Sequence, residues 1–329
     1  MGTGDRRPED PAAAARTELV REIERGGAWA ADPVWREVFL AVPRHLFVPY
    51  YYVTVAGGFE RRWAEHPDPA ARARWLRGAY ADVPLATRLR DGELVSSSSQ
   101  PSLMAAMLAE LGVRDGDRVL EIGAGTGYNA ALLAHRLGDD RLVTTVDLDP
   151  EITESARRHL AAAGYHPRVV TGDGARGVPQ RAPFDRILAT CALPTVPRVW
   201  LAQCRPGGRV LTPLATGLVA LDVSGAAHAE GGFLDTPAYF VPLRGGTRPV
   251  PPGPAVPAGV PRRGRQHDLF RFLLALTRES LDPREAYALW EREGRPGRRR
   301  YGITVTGDRA WAWLDDPAGP YAWPLPGSP

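Results

Sequence analysis

The apolar positions of this chain change period several times along its length. Leu19, Val20 and Ile23 recur at helical spacing and predict an amphipathic helix over 17–25. A second helix is expected from Asp32, with Pro33 in the first-turn position. The prolines of VPRHLFVPYYY, Val42 to Tyr52, interrupt this pattern; the aromatics Phe47, Tyr50, Tyr51 and Tyr52, and His45 among them, read as packing. A helix-like insert follows over about 61–77, and then a clear helix, Ser102 to Leu111, turns Leu103, Met104, Met107, Leu108 and Leu111 to one side.

Beyond Leu111, short apolar runs of strand character alternate with helical segments. Val119 to Ile122 is a strand, followed by a helix through Ala134. LVTTVD is a strand ending at Asp147, Glu151 to Ala163 a helix, and Arg168 to Thr171 and Arg186 to Thr190 further strands. Pro206, Gly207 and Gly208 turn into RVLTPL, after which LVALDVS and AYFVPL read as antiparallel strands closing one edge. The alternation predicts an α/β fold, a parallel doubly wound sheet preceded by N-terminal helices, with its site at the C-terminal ends of the strands.

Composition adds boundaries. Residues 1–16 are polar and rich in Pro and Ala and are expected to be disordered. A catalytic domain is expected over 17–244, and a Pro/Gly/Arg linker over 245–266. The C-terminal extension, 267–329, should be a small α+β unit and a candidate for substrate recognition, with helices from His267 and Pro283 and paired strands in YGITVT and RAWAWLD. The Arg run from Arg295 to Arg300 reads as a solvated loop, with attraction of an acidic leader or substrate peptide as the alternative. With 44% apolar and 24% charged residues the chain is ordinary for a soluble protein, and a net charge of +3 is too small to point to nucleic acid. No apolar stretch reaches membrane-spanning length, and the N-terminus lacks a signal-peptide core. Cys191 and Cys204 offer neither a disulfide framework nor metal spacing, so a reducing cytoplasm and no metal are expected, with Cys191 as packing.

Chemistry concentrates in VLEIGAGTGYNAALLA, Val119 to Ala134. A strand runs into Gly123, Gly125 and Gly127 and then a helix, so backbone can approach a ligand and unpaired N–H groups face it. Asp147 lies 20 residues after Gly127, where a doubly wound fold places the carboxylate that grips a ribose diol, with Leu148 beside it. A dinucleotide would bring a pyrophosphate, which Glu121, inside the strand before the first glycine, would repel. A cationic ligand is favoured, and S-adenosyl-L-methionine carries a sulfonium and an ammonium group with a ribose and an adenine but no phosphate. A second unusual feature is Ser96 to Ser99, followed by Gln100 and Pro101. These serines either cap the next helix or line a pocket for a polar acceptor, with Ser97, Ser98 and Gln100 binding substrate, and the residues leave both readings open.

The E-x-G-x-G-x-G form around Glu121 resembles the first motif of class I methyltransferases. The succession VPRHLFVP, AYADVPL, SSSSQPSLMAAML, VLEIGAGTGYNAALLA, VVTGDG, PFDRILATCALPTVP and PGGRVLTPL resembles protein-L-isoaspartyl O-methyltransferases in order and spacing over roughly 17–245. The resemblance implies a seven-stranded class I core, S-adenosyl-L-methionine as cofactor with S-adenosyl-L-homocysteine as product, and methyl transfer to a free carboxylate of an isoaspartyl or aspartyl residue. By position, the family's active-site hydroxyl falls on Ser99, and its adenine-contacting acid on Asp173, beside Gly174. The chain departs from the family at Ser98, where Ile is usual, and in extra residues between Tyr52 and Ala79; both departures lie around the substrate pocket.

The C-terminal extension resembles tails on actinobacterial relatives that modify ribosomally made peptides. The expected partner is therefore a peptide or protein carrying Asp or isoaspartate, such as a ribosomal peptide precursor, in which the methyl ester closes to a succinimide (aspartimide). General repair of isoaspartyl residues in damaged proteins is the alternative. A non-catalytic cofactor-binding, peptide-binding module is the alternative of another class.

Overall fold

The structure, a computed structural model, describes residues 10–30, 32–245, 260–278 and 280–326. It divides into two compact units. One comprises Met1–Gly116, Ala124–Val143 and Pro150–Val169, the other Asp117–Gly123, Thr144–Asp149 and Val170–Pro329.

The first unit opens with helix α1 (Pro11–Arg25), started by Asp10, whose carboxylate accepts from the Ala12 N–H, and by Pro11 in the first turn. Residues 11–16, expected to be disordered, are therefore helical; residues 1–9 of that expectation lie outside the described residues. After α2 (Val34–Ala41) the aromatic segment becomes strand β1 (Tyr50–Val55), paired antiparallel with β2 (Gly58–Trp63). Helix α3 (Pro69–Ala79) follows, so the insert expected to be helical over 61–77 is a strand and then a helix. Packing decides the strand. Tyr51 and Val53 face a small core with Trp75 of α3, the Tyr51 hydroxyl donates to the Trp75 carbonyl, and Trp75 Nε1 donates to the Val48 carbonyl. β3 (Leu85–Arg90) and β4 (Glu93–Ser98) complete a four-stranded sheet in the order β2-β1-β3-β4. Their turn is Asp91-Gly92, with φ of 53° and 80°, the backbone a tight hairpin needs. Helix α4 (Pro101–Leu111) follows the serines and ends on a left-handed Gly112.

From there strands and helices alternate as the sequence predicts: β5 (Val119–Ile122), α5 (Tyr128–Leu137), β6 (Val143–Asp147), α6 (Pro150–Ala162), β7 (Arg168–Thr171), β8 (Phe184–Ala189), α7 (Arg198–Gln203), β9 (Cys204–Leu214), β10 (Gly217–Gly225) and β11 (His228–Pro237). Helices α5 and α6 belong to the first unit. β5 and β8 are parallel, as are β8 and β9, whereas β10 runs antiparallel to β9 and to β11. The edge strand differs from expectation. AYFVPL is not a strand; β11 lies just before it, and Pro242, which has no N–H to give a ladder, makes only an isolated bridge to Ala192.

Of the expected linker, residues 246–259 lie outside the described residues, while Arg262–Gln266 is a short helix, α8. The extension then forms α9 (Asp268–Leu276), α10 (Pro283–Arg292), β12 (Tyr301–Thr306), β13 (Arg309–Leu314) and β14 (Ala322–Pro324). Its strands make no sheet of their own. β12 pairs antiparallel with β11, Ala229 opposite Val305 and Gly231 opposite Ile303, so the second sheet has ten strands in the order β14-β13-β12-β11-β10-β9-β8-β5-β6-β7. Phe272 of α9 packs edge-on against Phe233 of β11 and Tyr301 of β12 at ring separations of 4.9 and 5.4 Å, within a core cluster that also holds Leu120, Val219 and Trp290.

Candidate active site

Gly123, Gly125 and Gly127 have φ of 101°, 50° and 86°. Two of them are also crowded: a Cβ on Gly123 would lie 2.7 Å from Thr190 Oγ1, and one on Gly127 would lie 3.1 Å from Leu160 Cγ of α6. Glycine at these positions therefore both permits the turn and seats α5 against α6. The Thr190 hydroxyl donates within reach of the Gly123 and Ile122 carbonyls, at 3.0 and 3.2 Å, and holds the end of β5 to the end of β8. On the other side of the turn, His159 Nδ1 lies 3.0 Å from the Thr126 carbonyl; burial keeps the ring's pKa low, so it donates as a neutral imidazole.

In the second unit the carboxylates stand where the strands end. Glu121 is 1% exposed within β5, Asp147 ends β6, and Asp173 follows β7, accepting from the Ala175 N–H at 2.9 Å. Leu148 is 39% exposed, and Gly174 is buried, its carbonyl accepting from Trp200 Nε1 at 2.9 Å. A set of carboxylates and backbone groups suits a ligand that offers hydroxyls, an amine and a positive charge; it does not suit a phosphate. The residues therefore fit S-adenosyl-L-methionine. Cys191 is buried, and desolvation first, then Asp147 and Glu121, pushes its pKa up, so it stays a thiol and serves as packing.

One partner of these acids carries no mark in the sequence. Arg244 Nη2 lies 3.2 Å from Asp147 Oδ1, and its Nη1 lies 3.7 Å from Asp149 Oδ2. The main chain delivers it there: the Ala192 N–H donates to the Val241 carbonyl and the Leu243 N–H to the Ala192 carbonyl, tying 241–243 along the segment after β8. A Cβ on Gly245 would stand 2.8 Å from Asp173 Oδ1 and 3.4 Å from Leu148.

In the first unit, Ser97 and Ser98 end β4, while Ser99 and Gln100 lead into α4. The helix is not capped by a serine. Asp82 Oδ1 accepts from the Ser102 N–H at 2.8 Å, and Asp82 Oδ2 accepts from Gln100 Nε2 at 3.1 Å, so the amide of Gln100 is engaged by Asp82. Ser99 is half-buried, and its hydroxyl has no protein partner among the described residues. Its backbone is held firmly. Arg44, fully buried, sends Nη1 to the carbonyls of Ala79 and Ala81 at 2.8 and 3.1 Å, and Nη2 to the carbonyls of Val83 and Ser99 at 3.3 and 3.2 Å and to Ser98 Oγ at 3.4 Å. Desolvation lowers the Arg44 pKa to about 10, which leaves it charged at neutral pH. The available sequence signal was a charge inside the otherwise apolar VPRHLFVP.

No helix among the described residues is long and apolar enough to cross a membrane. Residues 70–243 match the family model described as protein-L-isoaspartate(D-aspartate) O-methyltransferase (PCMT). A protein-L-isoaspartate O-methyltransferase of Archaeoglobus fulgidus is 34% identical over 215 residues, 64% of this chain and 84% of the relative; one of Hyperthermus butylicus is 34% identical over 244 residues, 70% of this chain and 89% of the relative. In fold, a solved protein-L-isoaspartate O-methyltransferase superposes with a TM-score of 0.61 at 22% identity, covering 94% of this chain and 98% of its own. A putative one from Plasmodium falciparum, in complex with S-adenosyl-L-homocysteine, gives a TM-score of 0.53 at 14% identity over 72% of this chain and 99% of its own. With more than half its length matched, the chain belongs to the protein-L-isoaspartate(D-aspartate) O-methyltransferase family.

Proposed function

We propose that the protein transfers a methyl group from S-adenosyl-L-methionine to the free carboxylate of an L-isoaspartyl residue in a polypeptide. It is an enzyme of the protein-L-isoaspartate O-methyltransferase type with S-adenosyl-L-methionine as cofactor. The observation that carries the reading is the glycine turn after β5 combined with carboxylates, rather than cations, at the ends of the neighbouring strands. When bound, the cofactor supplies an electrophilic methyl group on a sulfonium, a good leaving group. Glu121 and the turn at Gly123, Gly125 and Gly127 would hold its amino-acid end, Asp147 the ribose hydroxyls with Leu148 alongside, and Asp173 with Gly174 the adenine.

The acceptor needs orientation more than activation. A carboxyl group with an ordinary pKa near 4 is ionised at neutral pH and is already a nucleophile, so no general base is required. Ser99 would donate a hydrogen bond to the carboxylate and fix its direction, with Ser97 and Ser98 lining the same strand end. Arg44 supports this role by holding the Ser99 backbone in place. In the methyl ester the nitrogen of the adjacent backbone amide attacks the ester carbonyl and displaces methanol, which takes the amide proton with it; the succinimide so formed opens again by hydrolysis.

A ribosomal peptide precursor remains the second reading, since it too would present an aspartyl carboxylate. The strands of the C-terminal extension continue the sheet beyond β11, so the extension is part of the fold under either reading. The test is methyl-labelled cofactor offered with peptides that differ only in Asp or isoaspartate at one position. Base-labile label is expected in the isoaspartyl peptide. Label in the aspartyl peptide alone would favour the precursor reading, and label in neither peptide, with cofactor bound, would make the chain a binding module.

A further inference from the structure

The first unit carries a surface with no role in this scheme. Strands β1 and β2 pair Tyr50 with Trp63, Tyr52 with Arg61 and Thr54 with Phe59, and directly opposed residues in an antiparallel pair share a face. The opposite face, bearing Tyr51 and Val53, is the one packed on α3. On the open face the Arg61 guanidinium lies 4.4 Å from the centre of the Tyr50 ring and 5.8 Å from that of Trp63, while Phe59 is 47% exposed. Nearby cations are matched by acids: Arg62 by Glu60, Arg88 by Glu151, and Arg158 by Glu154. Arg61, which is exposed, has rings beneath it and no carboxylate partner among the described residues.

This face continues into a cleft of about 670 Å³, also within the first unit, with Tyr50 and Tyr52 on one wall, Ile152, Ser155 and His159 of α6 on the other, and Ser96 and Gly125 in its lining. The cleft thus runs from Tyr50, the ring that carries Arg61, to the serine strand and the glycine turn. The β1–β2 hairpin also precedes residue 70, where the match to the family model begins, so this surface belongs to the part of the chain that the family description does not cover.

We propose that the hairpin face is a docking surface for the substrate polypeptide, seating an extended acidic stretch that flanks the acceptor, with a carboxylate on Arg61 and side chains against Tyr50 and Tyr52. The charge argument selects the occupant: a ring-stacked guanidinium is held in place without a counter-ion, and the substrate class is defined by carboxylates. The inference deepens the proposed isoaspartyl methylation and rests on it.

The test uses the full chain and three probes: a four-residue isoaspartyl peptide, and two twelve-residue isoaspartyl peptides with flanks of glutamates or of lysines. Wild-type protein should favour the acidic over the basic flank in kcat/KM by about fivefold, the scale of an exposed ion pair. Arg61→Glu should abolish or invert that preference, leave the four-residue peptide unchanged, and weaken binding of a fluorescent acidic peptide in polarisation. Tyr52→Ala, which leaves the charge in place, should reduce binding of both long peptides. Equal flank preference and equal acidic-peptide binding in wild type and Arg61→Glu overturn the docking surface while methylation of the short peptide still upholds the reaction. Binding of the acidic peptide that depends on Arg61, with no methylation of any probe, keeps the surface and removes the proposed reaction instead.

Discussion

At the residue scale the outcome turns on groups whose partners are far away in sequence. Arg44 serves carbonyls between Ala79 and Ser99, so Arg44→Met, which removes the donors and leaves those acceptors buried, should cost at least about 3 kcal/mol in urea unfolding. Arg44→Lys, with charge but no fork, should fall between the two, and equal stability of all three forms would separate Arg44 from the serine segment. Asp147→Ala should weaken S-adenosyl-L-homocysteine binding by about 1–3 kcal/mol in calorimetry, because ribose hydroxyls lose their acceptor. Arg244→Ala should tighten binding slightly, by under about 1 kcal/mol given the partial exposure of the pair, since it removes one donor that competes for Asp147 Oδ1; an unchanged affinity in Asp147→Ala would dismiss the ribose role. Burial holds the His159 pKa below its usual range, so the unfolded chain binds the proton first as pH falls. The stability that His159 contributes is complete above about pH 6.5 and is lost as pH drops toward the folded-state value, so the thermal midpoint should fall between about pH 7 and pH 5, and fall less in His159→Gln. What could be read from sequence here was local. Gly123, Gly125, Gly127 and Asp147 follow a spacing, whereas Arg44, Asp82 and Arg244 acquire meaning only when the fold brings their partners to them.

At the element scale the parallel strands and their helices followed the apolar pattern, because a strand buried on both faces is a short run, four to six residues here, rich in Val, Ile and Leu. The first unit was harder. The insert over 61–77 reads as helix-like, yet residues up to Trp63 extend β2, which pairs with the strand that carries Tyr51 and Val53 against Trp75. AYFVPL had the composition of a strand and lacked the geometry, because Pro242 interrupts its donors. The junction between β5 and α5 makes a sharper test. Gly127→Ala forces a left-handed residue and a Cβ onto Leu160, and should cost about 1–2 kcal/mol in thermal unfolding; an unaltered midpoint would mean that α5 and α6 can separate freely.

At the scale of the whole molecule, the helices and strands expected in the C-terminal extension are present, and its strands join the sheet of the preceding residues. Strand pairing between β11 and β12 is non-local, between residues some 75 positions apart, and no periodicity encodes it. A chain cut after Arg244 should accordingly lose more than a recognition module: it would bare the β11 edge and the Phe233 face, and should be recovered mostly as aggregate, whereas a soluble, cooperatively unfolding truncation would show that the extension is dispensable. The same pairing has a consequence during synthesis. When β11 leaves the ribosome its outer edge has no neighbour, and none exists until Tyr301–Thr306 has been made. Over that interval the nascent chain carries an open strand and unpacked aromatics, so translation pauses between β11 and β12 should lower the yield of soluble protein even though the finished sequence is unchanged.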